Sequence, residues 1–406
     1  MPNNWKTYKL LEVSELITKG TTPSTYGYKF IDEGINYIKS DSTNYDGNLD
    51  SSVFVSISEE AHAKLKRSQL QEYDILFSIA GAYLGKSGMV KKEHIPANTN
   101  QANAIIRVHR EKVLPKFINL LLRNPRLVHY INASSGQSAQ PNLNLTDLGN
   151  LELEIPTLKE QKAIANILSA IEDKIENNLA INKTLEDMAM ALYKHWFVDF
   201  GPFQDGEFID SELGLIPKGW EVKRLDEISS MSAGGDKPKN FSKERADGLE
   251  IPIYSNGISN EGLYGFTDNA RIFEESVTVS ARGTIGYVCL RMQPYLPIVR
   301  LISLVPKKEY VSSKFLFLCL QNENIQGNGT TQQQLTVPDF KETKIITPNI
   351  DIIKDFNGIM DIAYNNIVSN KEENQSLTKL RDTLLSKLIS GEVRLKEFRE
   401  KVEQVL

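Results

Sequence analysis

The sequence predicts a mixed α/β (α+β) fold. It consists of two similar globular units joined by two long helices, which pair as an intramolecular antiparallel coiled coil with pseudo-two-fold character. Three observations predict it. Four stretches recur in the same order, two stretches of about 40 residues carry matched helical seams, and short β-branched runs alternate with glycine-rich loops.

The repeat sets the organisation. "WKTYKLLEVSELITKGTTP" from Trp5 has a partner in "WEVKRLDEISSMSAGGDKP" from Trp220, and "INYIKSDS" from Ile35 resembles "IPIYSNGIS" from Ile251. "ILFSIAGAYLGKSGMV" from Ile75 pairs with "SVTVSARGTIGYVCL" from Ser276, and "SGQSAQPNLNLTDLGNLELEIP" from Ser135 with "GNGTTQQQLTVPDFKETKIITP" from Gly327. Each match is weak, and the shared order carries the inference. Five segments follow: a first unit at 1–155, a helix at 156–200, a connector at 201–217, a second unit at 218–348, and a helix with its tail at 349–406.

Within the units, "NAIIRVHR" and "VRLISLVP" read as strands because β-branched residues dominate between turn signals. "LPKFINLLLRNPRLVHYIN" and "VSSKFLFLCLQNENI" have helical apolar spacing. Between the units, Glu160 to Phe200 carries no Pro or Gly and reads as one helix about 60 Å long. A 4–3 alternation runs Ile164, Leu168, Ile171, Ile175, Asn178, Asn182, Leu185, Ala189, Leu192, Trp196. The same alternation returns as Phe356, Met360, Ala363, Ile367, Asn370, Asn374, Leu377, Arg381, Leu384, Leu388, with asparagines in the same slots. Sustained heptads indicate a coiled coil, and a buried Asn fixes register and orientation at a cost in stability. An antiparallel pair brings Asn178 and Asn182 close to Asn374 and Asn370. The bland alternative is two amphipathic helices, each packed on its own unit. In the coiled-coil reading the helices are a spacer, and a spacing of tens of ångströms matches about one turn of B-DNA, roughly 34 Å.

Composition limits the function. Of 406 residues, 40% are hydrophobic and 24% charged, as in a soluble globular protein able to bury real cores. No apolar run approaches a membrane span and the N-terminus lacks a signal-peptide layout, so the expected location is the cytoplasm, without membrane contact. Cys289 and Cys319 read as buried apolar residues in a reducing compartment, and five histidines without a Cys/His cluster give no metal site. The net charge of −5 is uneven: residues 151–217 hold 5 Lys+Arg against 13 Asp+Glu, whereas 1–150 hold 17 against 14. The acid sits in the connector, so the globular units remain free to face phosphate.

Catalytic signatures are absent. There is no G-x-G-x-x-G, no G-x-x-x-x-G-K-[ST] and no Asn-Pro-Pro-aromatic stretch. "PDFKETK" imitates a nuclease site, but Asp339 and Glu342 are too close in sequence to lie on two converging strands. A structural coiled-coil adaptor without DNA readout is the remaining alternative.

At this point a family resemblance emerges. "IPTLKEQKAIANILSAIEDKIENNLAINKTLEDMAMALYKHWFVDFGPF" resembles the central conserved region of type I restriction-modification specificity (S) subunits. "LGLIPKGWEVKRLDEI" resembles the entry to their second target recognition domain, and "LTKLRDTLLSKLISGEVRL" their distal conserved helix. The resemblance implies a non-catalytic subunit. Each target recognition domain would read one half of a split double-stranded DNA target, and the helices would set the gap and dock two modification (methyltransferase) subunits. It implies no cofactor in this chain: S-adenosylmethionine, ATP and Mg²⁺ belong to the modification and restriction subunits.

Candidate DNA contacts fall in three loops per unit. The first unit offers Lys39, Ser40 and Asp41, then Tyr83 and Lys86, then Gln137, Ser138 and Gln140. The second offers Tyr254, Ser255 and Asn256, then Arg282, Thr284 and Tyr287, then Thr330, Thr331, Gln332 and Gln333. Gln and Asn amides match adenine N6/N7, and Arg and Lys match guanine O6/N7. Arg282, in a Gly-flanked loop, is the foremost of these, with a structural salt bridge as its alternative. Trp196, Phe197 and Phe200 are assigned to partner docking, to packing on the second unit, or to both at once.

Overall fold

The computed structural model describes residues 4–81, 84–135, 142–327 and 334–393. They divide into two compact units, residues 1–177 with 373–406, and residues 178–372.

Among the described residues the first unit holds nine strands: β1 (Lys6–Lys9), β2 (Ser14–Lys19), β3 (Ile35–Ile38), β4 (Val55–Ile57), β5 (Ile75–Ser78), β6 (Ser87–Met89), β7 (Ala97–Thr99), β8 (Asn103–Val108) and β9 (Glu152–Ile155). Helices α1 (Glu59–Lys64), α2 (Pro115–Leu122), α3 (Pro125–Ser135) and α4 (Leu145–Gly149) lie between them. A four-stranded antiparallel sheet runs β2-β8-β5-β6, a three-stranded sheet runs β4-β3-β7, and β1 pairs with β9. The central strands are apolar on both faces because each face has its own core. Ile75, Phe77 and Ile106 join the cluster around Phe117 of α2, while Leu76 and Ile105 face a second cluster with Ile38 and Val90. The stretch of helical spacing from Leu114 to Asn132 forms two helices. Pro125 disfavours helical backbone at Asn124, then opens α3.

The second unit repeats this plan. It holds β10 (Phe208–Ser211), β11 (Gly214–Pro217), β12 (Glu221–Arg224), β13 (Ser229–Ala233), β14 (Ile251–Tyr254), β15 (Leu263–Thr267), β16 (Ser276–Val279), β17 (Val288–Arg291), β18 (Leu296–Pro297), β19 (Ile302–Pro306) and β20 (Lys344–Thr347). Its sheets run β13-β19-β16-β17 and β15-β14-β18, and β12 pairs with β20, each strand in the slot its counterpart fills in the first unit. The connector is not bare chain: β10 and β11 form a hairpin.

Two helices of 40 residues, Leu158–Phe197 and Ile350–Ile389, each contribute to both units. In chain order they are α5 and α9; α6 (Leu225–Ile228), α7 (Ser313–Asn322) and α8 (Val337–Phe340) lie between. All twenty seam positions are buried or half-buried. In the first unit, Lys174 pairs with Glu373 at 3.1 Å, the Asn374 amide donates to the Ile175 carbonyl, and Ile164 and Leu168 share a core with Leu384 and Leu388. In the second, Asn370 Nδ2 donates to Asn182 Oδ1 at 2.8 Å, and the Trp196 and Phe197 rings meet Phe356. Within each unit one number rises as the other falls, so the pairing is antiparallel. Buried cations tie each long helix to its own unit: Arg123 meets Glu172 of α5 at 2.8 Å, and Lys314 of α7 meets Asp361 of α9 at 2.8 Å.

α5 stops three residues short of the expected Phe200, which adopts a left-handed backbone with φ 52°. The aromatic cluster it belongs to is core. Phe197 is 5% exposed against Phe315 and Phe356, Trp196 packs on Phe203, and Phe200 packs on Trp220. The geometry supports packing on the second unit; Phe197 is buried, whereas Trp196 and Phe200 are half-buried.

Candidate nucleic-acid interface

In the second unit, loops from four places meet through backbone hydrogen bonds. The glycine-rich turn after β16 is closed by Ser280 N donating to Tyr287 O (2.9 Å) and Gly286 N donating to Ser280 O (3.0 Å). Leu335 N donates to Ala281 O (3.0 Å), which brings the later loop alongside. After β13, Gly234 N donates to Leu301 O (2.8 Å). A Cβ on Gly234 would sit 2.8 Å from the Ile298 backbone, so only glycine permits this approach.

Asn256 ties these loops together. Its Nδ2 donates to Val299 O at 2.6 Å, and its Oδ1 accepts from Ala281 N at 2.7 Å. Both ends of the amide serve the backbone, so Asn256 is a positioning residue rather than the base reader expected. Tyr254 also departs from expectation. It is 9% exposed, with the Arg291 guanidinium 3.6 Å from its ring centroid and the Tyr295 ring at 5.7 Å, which makes it a core residue. Tyr287 is half-buried; burial first, then the Cys289 thiol, pushes its hydroxyl up to about 12. Ser255 is half-buried and its amide donates to Gly262 O.

Arg282 and Thr284 are exposed at the turn. Arg282 makes no salt bridge among the described residues; it donates to Gln334 Oε1 at 2.9 Å. It lines an open cleft of about 420 Å³ with Lys237, Arg300, Asp236, Gly234 and Gly235. Sequence reading missed Lys237 and Arg300. Arg300 was hidden because "VRLISLVP" was assigned whole to a strand, whereas β19 begins at Ile302 and Arg300 lies in the preceding turn. Aligning "KGTTP" with "GGDKP" and asking what the glycines approach would have drawn attention to this turn.

The first unit builds the same scaffold with other side chains. Ser78 N donates to Lys86 O, Gly85 N to Ser78 O, and Leu143 N to Ile79 O. These bonds match Ser78 to Ser280, Lys86 to Tyr287, Ile79 to Ala281 and hence Ala80 to Arg282. Lys86 lies 5.1 Å from the centroid of Tyr45, a ring 55% exposed that sequence reading did not select. Lys39 pairs with Asp41 at 3.0 Å, which offsets its charge, and Ser40 opens a short turn with its carbonyl accepting from Thr43. Tyr83, Gln137, Ser138, Gln140, Thr330, Thr331, Gln332 and Gln333 lie outside the described residues.

The nuclease look-alike is accounted for by structure. Asp339 accepts from Thr336 Oγ1 at the start of α8, Glu342 meets Arg224 at 3.0 Å, and Lys344 meets Glu212. Among the described residues no group of three or more His, Cys, Asp or Glu is placed to hold a metal ion, and no helix is long and apolar enough to cross a membrane. Both cysteines are buried and free, and burial pushes the Cys319 thiol up to about 12.

Comparison with known proteins agrees with this arrangement. A family described as type I restriction modification DNA specificity domain matches residues 2–187 and 217–379. The type I restriction enzyme MjaIX specificity subunit of Methanocaldococcus jannaschii is 28% identical, over 98% of this chain and 95% of its own. The HindI specificity subunit of Haemophilus influenzae is 26% identical, over 71% and 80%. The crystal structure of a type I restriction-modification S subunit from M. genitalium has the same fold, with a TM-score of 0.61, 18% identity, and coverage of 96% and 97%. These matches disfavour a structural adaptor. The chain belongs to the type I restriction-modification DNA specificity family and is a specificity subunit, the component that recognises the DNA target.

Proposed function

We propose that each unit reads one half of a split double-stranded DNA target and that α5 and α9 together set the gap. The observation that carries this reading is one topology used twice with different side chains in equivalent loop positions, Ala80 against Arg282 and Lys86 against Tyr287. A common scaffold with exchanged readers is what two different half-sites require. Exposed Arg282 and Thr284 are the contacts assigned in the second unit, and Lys86 with Lys39 in the first.

The same helices dock two modification (methyltransferase) subunits. Buried Phe197 adds little to such a surface, so exposed side chains, together with half-buried Trp196 and Phe200, are assigned to it. Leu179, Met188 and Ile362 are 56%, 62% and 68% exposed, apolar side chains that the unit's own packing leaves in water. S-adenosylmethionine, ATP and Mg²⁺ are supplied through the modification and restriction subunits, and the assembly works on DNA in the cytoplasm. Co-expression with the modification subunits tests the whole reading. Adenine methylation confined to one split sequence supports it; an unsplit sequence, or none from an assembled complex, contradicts it.

A further inference from the structure

The turn between β18 and β19 carries two consecutive non-glycine residues with left-handed backbone, Val299 at φ 52° and Arg300 at φ 61°. A β-branched residue is a true outlier there, and a turn with no other task takes Gly or Asn at such positions. The surroundings enforce the conformation. Val299 N donates to Gly235 O (2.8 Å), Arg300 N donates to Gly234 O (3.0 Å), and Val299 O accepts from Asn256 (2.6 Å).

What the strain achieves is display. Val299 is 49% exposed although apolar, and Arg300 is exposed on the cleft that Arg282 and Lys237 also line, where Asp236 is the lone acid among the described residues. The Arg300 guanidinium has no hydrogen-bond or ion-pair partner among the described residues. In the first unit the equivalent turn, matched by Asn103 N donating to Asn100 O as Leu301 N donates to Ile298 O, carries Gln101 and Ala102 on ordinary backbone. The same position therefore presents different chemistry in each unit.

We propose that Arg300 is a specificity-determining residue of the second unit, its guanidinium fork donating to a guanine edge, with the Val299 methyls against the neighbouring base, as a thymine methyl would accept. This rests on the reading that the second unit recognises one half of a split target. The test co-expresses the full chain with its modification subunits in a host free of adenine methylation, and reads the methylated sequence on the host genome by single-molecule sequencing. If wild type yields no split sequence, the underlying reading fails, and this inference with it. Given a split sequence, Arg300→Ala is expected to lower the preference for one G·C pair in one half about 5- to 150-fold, with the other half and the gap intact. An unchanged sequence, or equal weakening at every site, would overturn the assignment. Should that variant fail to assemble, Arg300→Lys keeps the charge but lacks the fork and is expected to show a smaller loss at the same pair, since a point charge retains part of the guanine contact. Val299→Gly relieves the backbone, so its melting temperature is expected to hold or rise while a position beside that pair relaxes; no change there overturns the Val299 contact.

Discussion

Removing the donor of the Asn182–Asn370 bond tests whether the seam asparagines form a buried, mutually dependent contact. Asn182 is 5% exposed and accepts from Asn370 Nδ2 at 2.8 Å, while Asn370 is half-buried. In Asn370→Leu the Asn182 carbonyl loses its donor in a place water reaches poorly, which costs about 1–3 kcal/mol. In Asn182→Leu the amide left behind is the half-buried one and can turn to solvent, so the cost is about 1 kcal/mol or less. Replacing both removes the orphan, and the double variant is expected to be at least as stable as the less stable single one, with a coupling of about 1–2 kcal/mol. A unit of this size converts each kcal/mol into roughly 2–4 °C, so calorimetry on the purified chain resolves all three variants. A neutral Asn370→Leu with no coupling in the cycle would refute the argument that this amide pair is a buried, mutually dependent contact.

Three further outcomes are expected. Arg282→Ala should relax one position of one half-site by about 1–3 kcal/mol in methylation assays; equal weakening on all sequences would identify a phosphate contact instead. Inserting seven residues into both α5 and α9 beside the seam asparagines lengthens each helix by about 10.5 Å, so the methylated sequence should gain about three base pairs of gap with both halves unchanged. Glu275 supplies a pH effect: burial works to raise its carboxyl, but the Ser313 hydroxyl and the Lys314 ammonium 2.8 Å away hold it below its ordinary 4.5. A depressed folded value means stability present above pH 4.5 and lost as pH falls through the lower folded value. Acid unfolding of Glu275→Gln should therefore lack this part of the decline, and an unaltered acid limb would count against it.

The long helices were legible because their evidence is local and periodic: no Pro or Gly between Glu160 and Phe200, and a seam that returns with its asparagines. The duplicated topology was legible from the order of four weak matches. The interface was read less well, for a physical reason. Tyr254 looks like a loop residue until Arg291 and Tyr295, far along the chain, close over it. Asn256 looks like a reader until both ends of its amide are found on backbone groups of other loops. Arg300 follows apolar neighbours that suggest a strand, and only the Gly234 and Gly235 contacts turn it outward. Trp196, Phe197 and Phe200 show the same limit, since an aromatic cluster in sequence serves a core or a partner equally well until its neighbours are known.

The most direct measurement is the adenine methylome of the source organism with and without this gene. Deletion is expected to remove one split sequence, two short halves across a fixed gap, and restoring the gene to return it. A deletion strain that keeps every methylated split sequence, while the chain and its modification subunits are shown to be expressed and assembled in the parent, would contradict it.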